Sequence, residues 1–246
     1  MIIMVLGMHR SGTSTISGVL HMNGVVMGTY QNFWPRPLNQ NPKGFYENYD
    51  FRKINDHLLS KSGYHVESFL PNIPNIQQID SLSRKMKLVI EKSNSTYQNW
   101  GWKDPRTCLT AIHWADAIDA LGLQKKLKII FMARKASSVS RSLNKRNNLP
   151  INQGLELWES YTKRAISFIE DNIYPTYHCS FEDLLRSPVQ VCDSLFNFLG
   201  KDWDSEIVEK FIDPSISTSE NGNVIEYSDN VATLEKKIYS HINDYS

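Results

Sequence analysis

The run Ile2–Leu6, "IIMVL", passes directly into Gly7–Ser14, "GMHRSGTS". Five apolar, β-favouring residues followed by a polar loop between two glycines read as a buried strand that turns sharply into a helix. This opening constrains the fold strongly, because a strand that leaves into a helix returns to its sheet as a parallel neighbour. Three more apolar runs, at Asn99–Lys103, Lys128–Ala133 and Thr176–Ser180, leave room for helices between them. The alternation predicts an α/β chain: a parallel sheet flanked by helices.

The first helix is expected from Gly12 to Met22, stopped by Asn23-Gly24. Others are expected at Tyr49–Ser60, at Gln77–Ser93, at Asn152–Asp171, and after Ser187-Pro188, where Val191, Leu195, Phe196 and Leu199 form an apolar stripe ended by Gly200. The excursion Thr29–Lys43, with Pro35, Pro37 and Pro42, reads as a long surface loop. The 246 residues suit a single domain, with 214–246 as an irregular C-terminal extension. The apolar start is too short for a signal sequence or a membrane span, so the chain reads as cytoplasmic, without a transmembrane segment. Cys108, Cys179 and Cys192 lie in no metal or disulfide pattern and read as buried thiols.

Gly7–Ser14 follows the phosphate-loop pattern G-x-x-x-x-G-K-[ST], except that Thr13 stands in place of the lysine. The expected architecture is therefore the three-layer, P-loop nucleoside-triphosphatase-like one. A strand-to-helix turn presents unpaired N–H groups at the positive end of the helix, a ready anion site. His9 adjoins the loop, while Ser11, Thr13 and Ser14 add hydroxyls, Gly12 lets the backbone approach closely, and Arg10 can fork onto two oxygens. With a formal net charge of +1 no broad field favours nucleic acid or a membrane, so the anion site is local. Nucleoside triphosphatases use the missing lysine on β- and γ-phosphates, and an Asp ends their second strand to help hold magnesium. Here that strand, "LKIIFMAR", ends in Arg134, which suits another anion and no metal.

These residues resemble the sulfotransferases that use 3'-phosphoadenosine 5'-phosphosulfate (PAPS). Their phosphosulfate loop [K/R]-S-G-T-[T/S] is matched by Arg10–Ser14; a strand-end Arg followed eight positions later by a helical Ser is matched by Arg134 and Ser142; and [YF]-E-D-L before a Pro and a helix ending "FLG" is matched over Phe181–Gly200. The three matches come in the family's order and span roughly four fifths of the chain. The resemblance implies that Arg10 serves the 5'-phosphate and the leaving oxygen, that Arg134 and Ser142 grip the 3'-phosphate, and that Phe181 lies near adenine. PAPS would be the co-substrate, with no metal required.

Cytosolic members carry K-T-H-x-P, where this chain has Lys103-Asp104-Pro105, so their histidine base is missing. Carbohydrate and tyrosyl-protein members use a glutamate after the loop, which points to Glu47 in "NPKGFYEN" as the base, with Lys103 and Arg10 as the other catalytic groups. Asp104 is a second candidate, equally readable as an ion pair with Arg106, and His9 is a third; His57 and His65 read as surface residues. The family's late R-K-G segment is absent, which implies a different cover for the nucleotide. "GFYEN" and "KDPR" resemble bacterial enzymes acting on a carbohydrate or glycolipid hydroxyl, with Phe33, Trp34, Arg36, Gln40 and Lys145–Gln153 as the acceptor wall. The competing readings are a P-loop kinase of a small metabolite and a nucleotide- or glycan-binding module without catalysis.

Overall fold

The computed structural model describes residues 1–38, 41, 43–213 and 224–243. The elements run β1 (Ile2–Leu6), α1 (Thr13–Met22), α2 (Tyr49–Lys61), α3 (Asp80–Thr96), β2 (Trp100–Lys103), α4 (Thr107–Ala120), β3 (Leu127–Ala133), α5 (Ala136–Asn147), α6 (Ile151–Glu170), β4 (Thr176–Ser180), α7 (Phe181–Arg186), α8 (Pro188–Leu199), α9 (Ser205–Phe211) and α10 (Asp229–Asn243). The strands pair in the order β2-β1-β3-β4, every neighbour parallel. The expected α/β fold with a helix-flanked parallel sheet is the one observed.

Both faces of the sheet are covered, and the strands show it residue by residue. Ile2, Met4 and Leu6 of β1 and Ile129, Phe131 and Ala133 of β3 enter one core. Their alternates Ile3, Val5, Ile130 and Met132 enter the other. This is the period of two that sends successive side chains to opposite faces, here with apolar residues on both. The first core is closed by α2 to α6 and α10, and centres on Phe51, Trp102 and Trp114, stacked at 4.8–5.0 Å between centroids. The second is closed by α1, α7, α8 and α9.

Two expectations need correction. The helix α4 was not foreseen, because Cys108, Leu109, Ala111, Trp114, Ala115, Ala117 and Ile118 bury it on nearly every side and no amphipathic stripe marks it. The described part of 214–246 is not irregular throughout, since α10 spans Asp229–Asn243. Val231, Leu234, Ile238 and Ile242, spaced by three and four, give that helix an apolar face packed into the first core. Residues 214–223 and 244–246 lie outside the described residues.

Ile238 is fully buried, so Ile238→Ala is expected to lower unfolding free energy by about 2–4 kcal/mol, the usual cost of truncating a packed aliphatic side chain. Urea denaturation measures it. A loss below about 0.5 kcal/mol, the range of surface substitutions, would contradict a docked C-terminal helix.

Candidate functional site

The parallel register brings Leu6, Lys103, Ala133 and Ser180 to one edge of the sheet, so the segments that follow them share one crevice. After Leu6 the chain makes the glycine-bounded loop. A Cβ at Gly7 would come within 2.7 Å of the Met132 carbonyl oxygen, so the loop can pass over β3 only without a side chain there. The Gly7 N–H donates to the Cys108 sulfur at 3.2 Å. Gly12, at φ +84°, starts α1 and leaves the first turn without a side-chain cap. Those N–H groups are the ones an anion would meet.

Arg10 sits at φ +69°, a left-handed conformation that costs a non-glycine residue about 1–3 kcal/mol and is held only where the surroundings demand it. Two bonds do so here. Its Nε donates to Ser142 Oγ at 2.8 Å, and its carbonyl accepts from Arg134 Nη1 at 2.7 Å. Arg134 and Ser142, eight positions apart in sequence, thus lie on either side of the loop arginine. Trp158 Nε1 holds the Arg134 carbonyl at 3.0 Å from behind.

Phe181 links the loop to the far part of the chain. Its ring lies 4.5 Å from the Arg134 guanidinium. It also covers Gly12 so closely that a Cβ there would stand 2.1 Å from Cδ2. The glycine of the loop motif and the aromatic of "FEDL" are therefore two halves of one contact. Beside them Ser14, Thr15, Lys43, Phe181, Leu185 and Phe211 line a small cleft.

Arg10, Arg134 and Arg146 form a cationic cluster. Burial, then repulsion from Arg146 and Arg134, lowers the Arg10 guanidinium to about 10. It stays protonated at neutral pH, and a bound anion would relieve the strain among these charges.

Next to this cluster the charges are paired. Lys103 Nζ donates to Ser14 Oγ at 3.0 Å and to Glu47 Oε1 at 2.9 Å, so a single ammonium joins the loop to the carboxylate. Glu47 is 7 % exposed, and its other oxygen is 4.0 Å from Arg106 Nη1. Arg106 also pairs with Asp104 Oδ1 at 2.8 Å and reaches Asp56 through Nε, there as a close ion pair without the alignment of a hydrogen bond. Burial opposes its charge, but Asp104, Asp56 and Glu47 together hold it firmly protonated. Removing one member of such a buried set costs about 3–5 kcal/mol because its partner is left uncompensated.

The competing bases fare differently. Asp104 is fully buried and accepts from Arg106 N and Nη1 on one oxygen and from Asn55 Nδ2 on the other. Burial alone would raise its carboxyl, but Arg106 and these hydrogen bonds bring it below the usual carboxylate range. The geometry is that of the Asp104–Arg106 ion pair, with both oxygens engaged and the carboxylate closed off from solvent. His9 packs edge-on against Tyr161 at 5.5 Å, and its buried Nε2 has no hydrogen-bond partner among the described residues. Burial, then the Arg106 charge, lowers its imidazole to about 3, so it is neutral and a very weak base. His57 and His65 are exposed, as expected.

Of the proposed acceptor wall, Trp34 is half exposed and Arg36 lies over Tyr30, 4.4 Å from the ring centroid. Phe33 instead turns inward onto His21 and Tyr46, and Gln153 is bound to the Phe69 carbonyl. Gln40 lies outside the described residues.

Several site residues escaped the sequence reading. Asn55 also accepts from Thr110 Oγ1 and Trp114 Nε1, so one side-chain amide orients Asp104 and ties it to α4. Its signal was an Asn on the apolar Phe51, Ile54, Leu58 face of α2. Trp158 and Cys108 gave no signal, because their polar partners are main-chain atoms of distant segments.

No family model and no curated protein sequence matches the chain. Its likeness is to solved structures. The sulfotransferase domain from the curacin biosynthetic pathway aligns at TM-score 0.58 and 15% identity, over 97% of each chain. The sulfotransferase domain from the Synechococcus PCC 7002 olefin synthase aligns at TM-score 0.61 and 15% identity, over 97% of this chain and 94% of that one. A sulfotransferase from Mycobacterium avium aligns at TM-score 0.55 and 15% identity, over 99% of this chain and 76% of that one. The chain has the sulfotransferase fold.

Proposed function

We propose that the protein is a PAPS-dependent sulfotransferase acting on an acceptor hydroxyl of a carbohydrate or glycolipid. The observation that carries this reading is the joint arrangement of Arg10, Ser142, Arg134 and Phe181. It pairs an uncapped helix N-terminus for one anion with an Arg–Ser pair for a second anion and an aromatic ring between them. A nucleotide phosphorylated at both 5' and 3' positions would occupy both anion sites, whereas a triphosphate running along the loop leaves Arg134 and Ser142 unexplained.

In this reading the N–H groups at the start of α1, the hydroxyls of Ser11, Thr13 and Ser14, and Arg10 hold the 5'-phosphate, with His9 packed as a neutral wall beside them. Arg134 and Ser142 hold the 3'-phosphate, and the cleft against Phe181 takes adenine. PAPS supplies an activated sulfuryl group; the protein supplies charge and a base. Lys103, bonded to both Ser14 and Glu47, stands where negative charge grows on the leaving oxygen. Glu47 takes the hydroxyl proton as the acceptor oxygen attacks sulfur in line with the departing phosphate. Lys103 and Arg106 hold the carboxylate in place for that transfer. Exposed Tyr30 and Trp34 beside Arg36 suit a sugar ring, which stacks on aromatic faces and takes hydrogen bonds at its edge. A metabolite kinase is disfavoured because β3 is followed by Arg134 in place of an Asp, and Thr13 takes the lysine position.

Arg134→Ala is expected to weaken 3'-phosphoadenosine 5'-phosphate by roughly 10- to 100-fold, the worth of a charge-assisted hydrogen-bond pair, while barely changing adenosine 5'-phosphate. Titration calorimetry with both nucleotides measures it, and equal losses would remove Arg134 from the 3' site. Glu47→Gln is expected to keep nucleotide affinity within a few-fold and lower turnover by about 10²- to 10⁴-fold, the contribution of a positioned general base. Single-turnover transfer of labelled sulfate reads this, and an unchanged rate would end the base assignment.

A further inference from the structure

The helix that carries Ser142 begins without a cap of its own. Lys135 at its start offers no side-chain acceptor, and Ala136 and Ser138 are buried, so N–H groups of this turn need partners from within the protein. Three side chains from other parts of the chain take those groups in turn. The Lys135 N–H donates to Glu182 Oε1 at 3.1 Å, the Ala136 N–H to Glu235 Oε1 at 2.7 Å, and the Ser137 N–H to the Tyr227 hydroxyl at 3.1 Å. Two of the acceptors are bonded to each other, and the third is bonded to α10. Tyr227 donates to Glu235 Oε1 at 3.3 Å, and Tyr239 donates to Glu182 Oε2 at 2.6 Å. Tyr227 precedes α10, Glu235 and Tyr239 lie on it, and Glu182 belongs to "FEDL" beside Phe181. The C-terminal helix therefore grips the turn between Arg134 and Ser142 from outside the nucleotide crevice.

We propose that Glu235 is a positioning residue for the 3'-phosphate site, fixing the strand-to-helix turn at Lys135–Ser137 so that Arg134 and Ser142 flank Arg10. The inference rests on the reading of Arg134 and Ser142 as the 3'-phosphate pair. It has a chemical corollary. Two carboxylates already occupy the positive end of α5, so that end is closed to a phosphate, and 3' recognition falls to side chains alone. Specificity for the 3'-phosphate then depends on how firmly the turn is held.

The test is calorimetric titration of the full chain with 3'-phosphoadenosine 5'-phosphate and with adenosine 5'-phosphate, for the parent, Glu235→Ala, Glu235→Gln and Arg134→Ala. The free energy of a lost helix cap, carried in full by the bound state, sets an upper bound of roughly three- to tenfold in affinity. Glu235→Ala is expected to lose up to that much for the doubly phosphorylated nucleotide and little for the other. Glu235→Gln, whose amide oxygen still accepts the Ala136 N–H, is expected to match the parent. An unchanged ratio in Glu235→Ala, or a Gln variant as impaired as the Ala variant, would overturn the positioning role. Should Glu235→Ala fail to fold by circular dichroism, Tyr227→Phe removes the neighbouring acceptor and is expected to shift the ratio the same way by a few-fold; an unchanged ratio there would overturn the proposal. A parent that binds both nucleotides equally, with Arg134→Ala no different, would instead sink the 3'-phosphate reading itself.

Discussion

The parallel register is the constraint on which the rest depends. Val5 pairs with Lys103, Leu6 with Phe131, and Ala133 with Ser180, so all four strands end within three residues of one another and each hands its next residues to the same crevice. The loop arginine, the bridging lysine, the strand-end arginine and the covering phenylalanine converge for that reason. None of the four is near another in sequence. A shift of one residue in any strand would turn its apolar residues to the wrong core and carry its functional residue out of the crevice, so core packing and site assembly select the same register.

Charge is divided in a way that follows from burial. Glu47, Asp56 and Asp104 are paired with Lys103, Arg106 and Arg52, whereas Arg10, Arg134 and Arg146 gather beside the loop. A near-neutral chain can present a local anion site because Glu47, Asp56 and Asp104, the carboxylates beside it, are paired with other cations. Lys103 lies at the boundary, with one bond to each side. That position suits a group which must respond to charge on a leaving oxygen while holding a carboxylate base. The α10 contacts extend the same economy: acceptors brought from the C-terminal segment satisfy the turn that displays Arg134.

Much of this was legible in the sequence where local pattern and tertiary role coincide. The apolar runs became β1 to β4 within a residue of their expected ends, since a buried parallel strand writes itself as a continuous apolar run. Arg10 and Arg134 stood out in the glycine-bounded loop and at a strand end, and Ser142 through the Arg–Ser signature of the sulfotransferases that the sequence resembles. What was missed has another origin. The helix α4 is buried all round and carries no stripe; α10 packs through an apolar face too sparse to stand out after a polar stretch; Glu235, Tyr227 and Trp158 act on main-chain atoms of distant segments, which leave no trace in spacing. Asp104 was ambiguous between base and ion pair until Asn55, unmarked except as a lone amide on an apolar face, was seen to hold its second oxygen.

In the proposed function this loop, with Thr13 in place of a lysine, holds a single 5'-phosphate while Arg134 and Ser142 hold a 3'-phosphate. Calorimetric titration of the unmodified protein with 3'-phosphoadenosine 5'-phosphate and with ATP, each with and without magnesium, tests it most directly. The account predicts tight binding of the former that is indifferent to magnesium, and weak binding of ATP under both conditions. Preferential, magnesium-dependent binding of ATP would contradict it.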